Sequence, residues 1–332
     1  EGVCYQCTSL SSFEIPENVT FLGKKSFFSC TNLPSISIPK KLTTILESVF
    51  KKCTNLVLVE FQGNVTSISK ESFYNCTSLP SFTVPDSVES ISTNTFAYCS
   101  SLSSFIFNNK ITSVGDGALS YCTSLTSITI PEQLTYISSN LFLGCINLLS
   151  VEILGDVTNI GTSAFSGCIS LPSFVIPENV SKIESYAFYN CASLSSIIIP
   201  VNVSDISNYL FSKCSNLTSI EFLGDLKSIK SRAFSECSSL GSIQIPENVS
   251  SIEDYVFEKC TNLSFFKFQF NVTRIERYTF CYCSKLESID FYRNVNYIGD
   301  MAFYKCTSLS VITIPASVET IKYGAFRYCE NL

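Results

Sequence analysis

The sequence predicts a repeat solenoid: about fourteen coils of 23 residues, each adding one short strand to a parallel β-sheet on one face and closing through short turns, 3-10 or α, on the other. Three observations predict it. Cysteine recurs without a slip in register at 7, 30, 53, 76, 99, 122, 145, 168, 191, 214, 237, 260, 283, 306 and 329. Further columns keep the same register and stay apolar. One segment of every unit alternates apolar and polar residues with period two, as a strand with one buried face does.

Taken in order, each coil opens at its cysteine. Three residues on stands Leu, from Leu10 and Leu33 through to Leu332. Six and eight residues on stand Ile, Val or Phe, as in Ile36/Ile38 and Ile312/Ile314. Stacked in register about 4.8 Å apart, these strands predict a body on the order of 65–70 Å long. Proline nine after cysteine (Pro16, Pro39, Pro85, Pro131, Pro177, Pro200, Pro246, Pro315) ends the strand, since it cannot donate to a ladder. Elsewhere the exit is Gln62-Gly63, Asn108-Asn109, Leu154-Gly155, Leu223-Gly224, Gln269-Phe270 or Tyr292-Arg293. A second extended piece follows, carrying Ile45, Ile68 or Ile321 inward. Polar residues such as Gly161-Thr162-Ser163 then predict the cap of one helical turn, which brings in a Phe twenty after cysteine, with Leu119 the exception. No break in the period marks a linker. The reading is one domain over 1–332, with 1–7 a partial N-terminal cap and 330–332 the start of a further repeat, so the natural chain is expected to run on.

Composition narrows the function. The 332 residues are 45% hydrophobic and 15% charged, apolar enough for a large core. Net charge is −6 and no basic run exceeds two residues, which argues against nucleic acid or anionic membrane as partner. No apolar run has the length of a membrane-spanning helix. Histidine is absent, which removes the commonest general base and metal ligand. No phosphate-binding glycine loop, nucleophile–base set or asymmetric carboxylate pair is present either. Neither an enzyme nor a cofactor is expected.

Units such as Leu125-Thr126-Ser127-Ile128-Thr129-Ile130-Pro131, followed by Ile137, Phe142 and Cys145, resemble the BspA-like, treponemal-type leucine-rich repeats over nearly the whole chain. The resemblance implies a leucine-rich-repeat right-handed superhelix. It also implies a surface-exposed protein of a bacterium or a parasitic protist, used in adhesion to host matrix proteins or other cells. The near-invariant cysteine, the Asn-x-Ser/Thr sites and the Ser-rich strands look more like the protist branch.

The cysteine column reads as small buried thiols: one per 23 residues lacks the paired spacing of zinc sites, and stacked parallel Cβ vectors suit a disulfide badly. Two cysteines fall outside it. Cys4 with Cys7 forms a C-x-x-C that is a candidate disulfide, and Cys281 is expected to be an accessible thiol. Sequons at Asn18, Asn64, Asn179, Asn202, Asn216, Asn248, Asn262 and Asn271 are glycosylation candidates; the one at Asn75 abuts Cys76 and is weaker. Six of them share one column, which N-glycosylation and simple turn chemistry explain equally well.

The outward position five after cysteine is nearly always Ser, a ladder of small hydroxyls. The position seven after varies: Glu14, Glu60, Thr129, Val175, Ile198, Glu221, Lys267, Asp290 among others. Variation on a fixed core is what a recognition face shows, and also what a solvated face free to drift shows. A sharper local candidate is the ligand-binding set Phe265, Lys267, Phe270, Asp290, Tyr292 and Arg293, where aromatic residues and Arg replace Ser-rich surface. A file of Tyr186, Tyr209, Tyr255 and Tyr278 on the turn side reads instead as a shield over the core.

The expected function is a non-enzymatic cell-surface or secreted adhesion protein that engages a protein or glycoprotein ligand, of host matrix or cell surface, through the sheet face. Self-association is a further partner, and no membrane insertion is expected within this segment. The alternative is an intracellular, cytoplasmic scaffold in which reduced cysteines are natural.

Overall fold

The computed structural model describes residues 2–269, 271–291 and 294–332. The chain forms two compact units, Glu1–Val157 with Ala164–Cys168, and Thr158–Ser163 with Ile169–Leu332. Both are parallel β-solenoids wound from the predicted coil.

Period-two sequence becomes period-two burial. Ser35–Ile38, Ser127–Ile130 and Ser196–Ile199 each alternate exposed and buried residues, with Ile inward and Ser or Thr largely outward. Successive coils pair in parallel at equivalent positions, as Ser196↔Ser219 and Ile197↔Ile220. Leu56 and Leu79 donate their N–H to the carbonyls of Cys53 and Cys76, tightening the turn into the strand (3.1 Å each).

The broad face differs from the expected unbroken sheet. In the first unit Ser35–Ile38 pairs Leu58–Phe61, Ser81–Thr83 pairs Ser104–Ile106, and Ser127–Ile130 pairs Ser150–Ile153. In the second, Ser196–Ile199 pairs Ser219–Phe222 and Phe265–Lys267 pairs Ser288–Asp290. The cause is the exit residue. Where it is not proline, its N–H reaches the last carbonyl of the preceding strand: Gln62 to Ile38 (2.9 Å), Leu154 to Ile130 (3.0 Å), Leu223 to Ile199 (3.0 Å). Where it is proline no such donor exists, and the ladder to the preceding coil lapses. The following Gly63, Gly155 and Gly224 let the backbones close up. A Cβ there would sit 2.5, 2.2 and 2.1 Å from the carbonyl oxygens of Lys40, Glu132 and Val201. At Asn108 and Gln269 the side-chain amide does the clamping, to Pro85 and Val88 in one case and to Ile245 in the other.

The second extended piece has no proline and its ladders run further: Thr44–Ile45, Ser67–Ile68, Ser90–Ile91 and Ser113–Val114 form one four-stranded sheet.

The expected helical turn is corrected: among the described residues there is no helix. Each coil instead places two residues in the left-handed region, such as Ser48 and Lys52 (φ 59° and 63°) or Tyr209 and Lys213 (φ 55° and 65°). A helix would satisfy its N–H groups within the coil. Here they point along the stack, as Phe27 to the Val49 carbonyl (2.9 Å) and Phe234 to the Val256 carbonyl (3.0 Å).

The core lies between these faces. Phe27, Phe50, Phe73 and Phe96 stack with centroids 5.3–5.5 Å apart, and Phe211, Phe234 and Phe257 at 5.8 Å. All are fully buried, and such aromatic files contribute both area and ring–ring attraction.

Candidate binding face

The broad face carries the outward side chains of the paired strands on a backbone fixed by the buried Ile, Leu and Phe files. The five and seven positions are mostly exposed, so the residues that vary along the sequence reach solvent. Because proline interrupts the ladders, the face is not flat. Shallow concavities lie between one strand pair and the next, one of about 540 Å³ between 57–64 and 81–87 and one of about 410 Å³ between 103–109 and 127–131.

The predicted patch is brought together in part. Phe265 is 46% exposed and stands in register with Ser288. Lys267 and Asp290 face each other across the same strand pair, 3.8 Å apart, so their charges offset one another. Phe270, Tyr292 and Arg293 lie outside the described residues.

The thiol expectations need correction at two places. Cys281 is 2% exposed, and burial first, then the nearby Glu258 carboxylate, pushes its thiol up to about 12. Its equivalents one coil before and after are Glu258 and Tyr304, 23 residues away in each direction. Cys4 and Cys7 carry separate thiols. Cys4 is turned into the core while Cys7 faces solvent; burial, and Cys7 beside it, raise the Cys4 thiol above its ordinary value. The column cysteines are buried except for exposed Cys7 and half-buried Cys329. Among the described residues no group of His, Cys, Asp or Glu is placed to hold a metal ion.

Of the sequons, Asn18, Asn64, Asn179, Asn202, Asn216, Asn248 and Asn271 are exposed, whereas Asn75 and Asn262 are half-buried. Several already serve the turn. Asn202 and Asn271 donate their amides to the Glu178 and Glu247 carbonyls (3.2 Å each), and Asn248 donates to Asp225 (2.8 Å).

On the turn side Tyr186 stacks on Tyr209 (4.5 Å) and Tyr255 on Tyr278 (4.6 Å). Arg232 fills the missing place in this file, its guanidinium 3.8 Å from the Tyr255 ring and paired with Glu258. All four rings are half-buried, which fits a shield.

Sequence reasoning passed over one feature of the broad face: exposed Val175 and Ile198, adjacent in the seven-after column. The signal was present as Phe174-Val175-Ile176 and Ile197-Ile198-Ile199, where the outward position breaks the alternation.

Residues 1–123, 89–218 and 204–332 match the family model of the BspA type leucine rich repeat region, in six copies. No curated protein is matched. Among solved structures, a leucine-rich repeat protein from Bacteroides ovatus is 26% identical, with a TM-score of 0.80, over 95% of this chain and 88% of that one. A leucine rich cell surface protein from Faecalibacterium prausnitzii is also 26% identical, with a TM-score of 0.56, over 88% and 81%. The pneumococcal vaccine antigen PcpA shares the fold at 19% identity, with a TM-score of 0.55, over 86% and 73%. No helix among the described residues is long and apolar enough to cross a membrane.

Proposed function

The chain belongs to the BspA type leucine-rich repeat family, and on that premise we propose that it is a cell-surface or secreted adhesion protein whose broad face grips a protein or glycoprotein of host matrix or of another cell. Repeats of this kind typically serve as binding scaffolds and not as enzymes. The observation that carries the reading is the combination of a rigid, repetitive core with an exposed, varied seven-after column on one face. The surface location draws support from the Faecalibacterium protein, described as a cell surface protein. Free thiols do not weigh against an oxidising exterior here, because burial keeps nearly all of them from oxidants and from one another's partners.

Phe265, with the Lys267–Asp290 pair beside it, is one contact point on this face, and the sequence offers Phe270, Tyr292 and Arg293 as further ligand-binding candidates. The six exposed sequons of the shared column, Asn18, Asn64, Asn179, Asn202, Asn248 and Asn271, would place glycans on the edge where the strands exit.

The test is adhesion of the purified chain to immobilised matrix glycoproteins and to cultured cells, with the Phe265→Ser variant in parallel. Saturable binding, reduced by the variant, is expected. Absence of binding to every surface, by protein that melts cooperatively, overturns the adhesion reading. Intact mass of the native protein before and after glycosidase decides the sequons.

A further inference from the structure

We propose that the second unit carries a docking groove for an extended, cationic segment of a partner protein with aliphatic side chains alternating with Lys or Arg, centred on Val175 and Ile198. The proposal rests on the sheet-face reading above and names what one part of that face would take.

Its floor is a concavity of about 360 Å³ between segment 173–176 and strand Ser196–Ile199. Pro200 ends the second of these, so no ladder joins the two, and the gap between them stays open as a trough. Val175 is 83% exposed and Ile198 52%, and Leu223 extends the apolar surface onto the next coil at 55%. Three aliphatic side chains so exposed and so close form a patch, which marks an interaction site more often than single surface apolar residues do.

The rim decides what occupies it. Glu178 lines the trough, and Glu221 and Glu247 line the next concavity along the same unit. All three are exposed and, among the described residues, none is in an ion pair. Among the described residues no basic side chain lines either concavity; of the cations in these coils, Lys182 and Lys230 are held by Glu184 and Glu253, and Arg232 by Glu258 on the turn side. An apolar trough edged by unpaired carboxylates selects aliphatic groups flanked by cations, since rim charges steer encounter and reject like charge. The same charge argues against a second copy docked face to face, which would set these carboxylates against their own kind. An extended segment fits because its side chains alternate, every second one entering the trough while the others meet the rim.

The probe is a fluorescein-labelled, end-blocked peptide, Gly-Lys-Val-Lys-Val-Lys-Gly, titrated with the full chain by fluorescence anisotropy. Its counterpart with Glu in place of Lys is the control. The lysine peptide should bind and the glutamate peptide should not. Val175→Ser with Ile198→Ser should weaken binding about tenfold or more, as loss of a central apolar anchor does. Glu178→Gln with Glu221→Gln should weaken it at about 0.05 M salt and lose most of the salt dependence seen between there and about 0.5 M. These residues are exposed, so an unchanged melting curve is expected to show that the variants fold. Equal binding by the serine variant, equal binding of both peptides, or a dimer in sedimentation that the serine variant abolishes would each overturn the proposal. The two readings fail separately. A matrix or cell ligand bound equally by wild type and the serine variant leaves the adhesion reading standing and removes this groove. Peptide binding without adhesion does the reverse.

Discussion

Past Cys7, column cysteines give their Sγ–H to the carbonyl of the residue 26 positions earlier, usually a phenylalanine: Cys53 to Phe27 at 3.0 Å, Cys214 to Phe188 at 3.1 Å, Cys260 to Phe234 at 3.2 Å. Small volume, a single donor and an otherwise apolar surface are what that site asks for, and serine would bury a more strongly hydrated group in the same place. Native protein treated with a thiol reagent should therefore label rapidly at Cys7, slowly at Cys329, and elsewhere only after unfolding; rapid modification of Cys281 would contradict the structure. Burial also pushes the thiols up, Cys53 and Cys145 to about 12 from an ordinary 9.0. A thiol raised in the folded state favours folding fully below pH 9 and loses that contribution as pH climbs from there toward 12. With the whole column acting together, the melting temperature should fall steeply above about pH 9, in step with thiolate absorbance.

At the level of the strand and turn, one residue per coil decides how its neighbours pair. Leu223→Pro would remove the N–H that meets the Ile199 carbonyl and should cost about 1–3 kcal/mol, read as a lower melting temperature and faster amide exchange in Ser219–Phe222. The coil itself was legible in the sequence because period-two and 23-residue periodicities are direct images of burial. Proline was legible as a strand stop, but its effect on the preceding coil needed the register of the stack. The left-handed turns were poorly legible. Their polar residues suit a helix cap equally well, and although Gly117, Gly144, Gly167 and Gly324 stand at such positions, most coils carry Lys, Tyr, Ser or Glu there, so no glycine column announces the turn. Cys281 was misjudged for a related reason: its burial depends on neighbouring coils, among them the one that brings Glu258 near it from 23 residues earlier in the chain.

Over the whole molecule, stability is expected to be a sum of coils and of the interfaces between them. Removing residues 192–214, one full period within the second unit, keeps every file in register. That variant should retain its β-type circular dichroism and melt at a somewhat lower temperature. Removing about ten residues from the same place sets strand positions beside turn positions in every later file and should abolish cooperative melting, since the buried columns no longer stack on one another. Equal damage from the two deletions would show that the coils are not interchangeable units. Binding belongs to this scale as well: with contacts spread over several coils, loss of one contact point should weaken adhesion in steps and not abolish it.

The left-handed residues of the turns leave the protein with an unused reserve. A side chain bearing a Cβ resists that conformation by roughly 1–2 kcal/mol, and glycine gives back part of this through its freer unfolded chain. At Lys52, whose φ is 63° and whose exposed side chain makes no ion pair among the described residues and only a 6.0 Å approach to the Phe28 ring, Lys52→Gly should raise stability by about 0.5 kcal/mol, measured by chemical denaturation. Left-handed positions recur coil after coil, so exchanging those outside the tyrosine file would harden the scaffold and leave its broad face untouched.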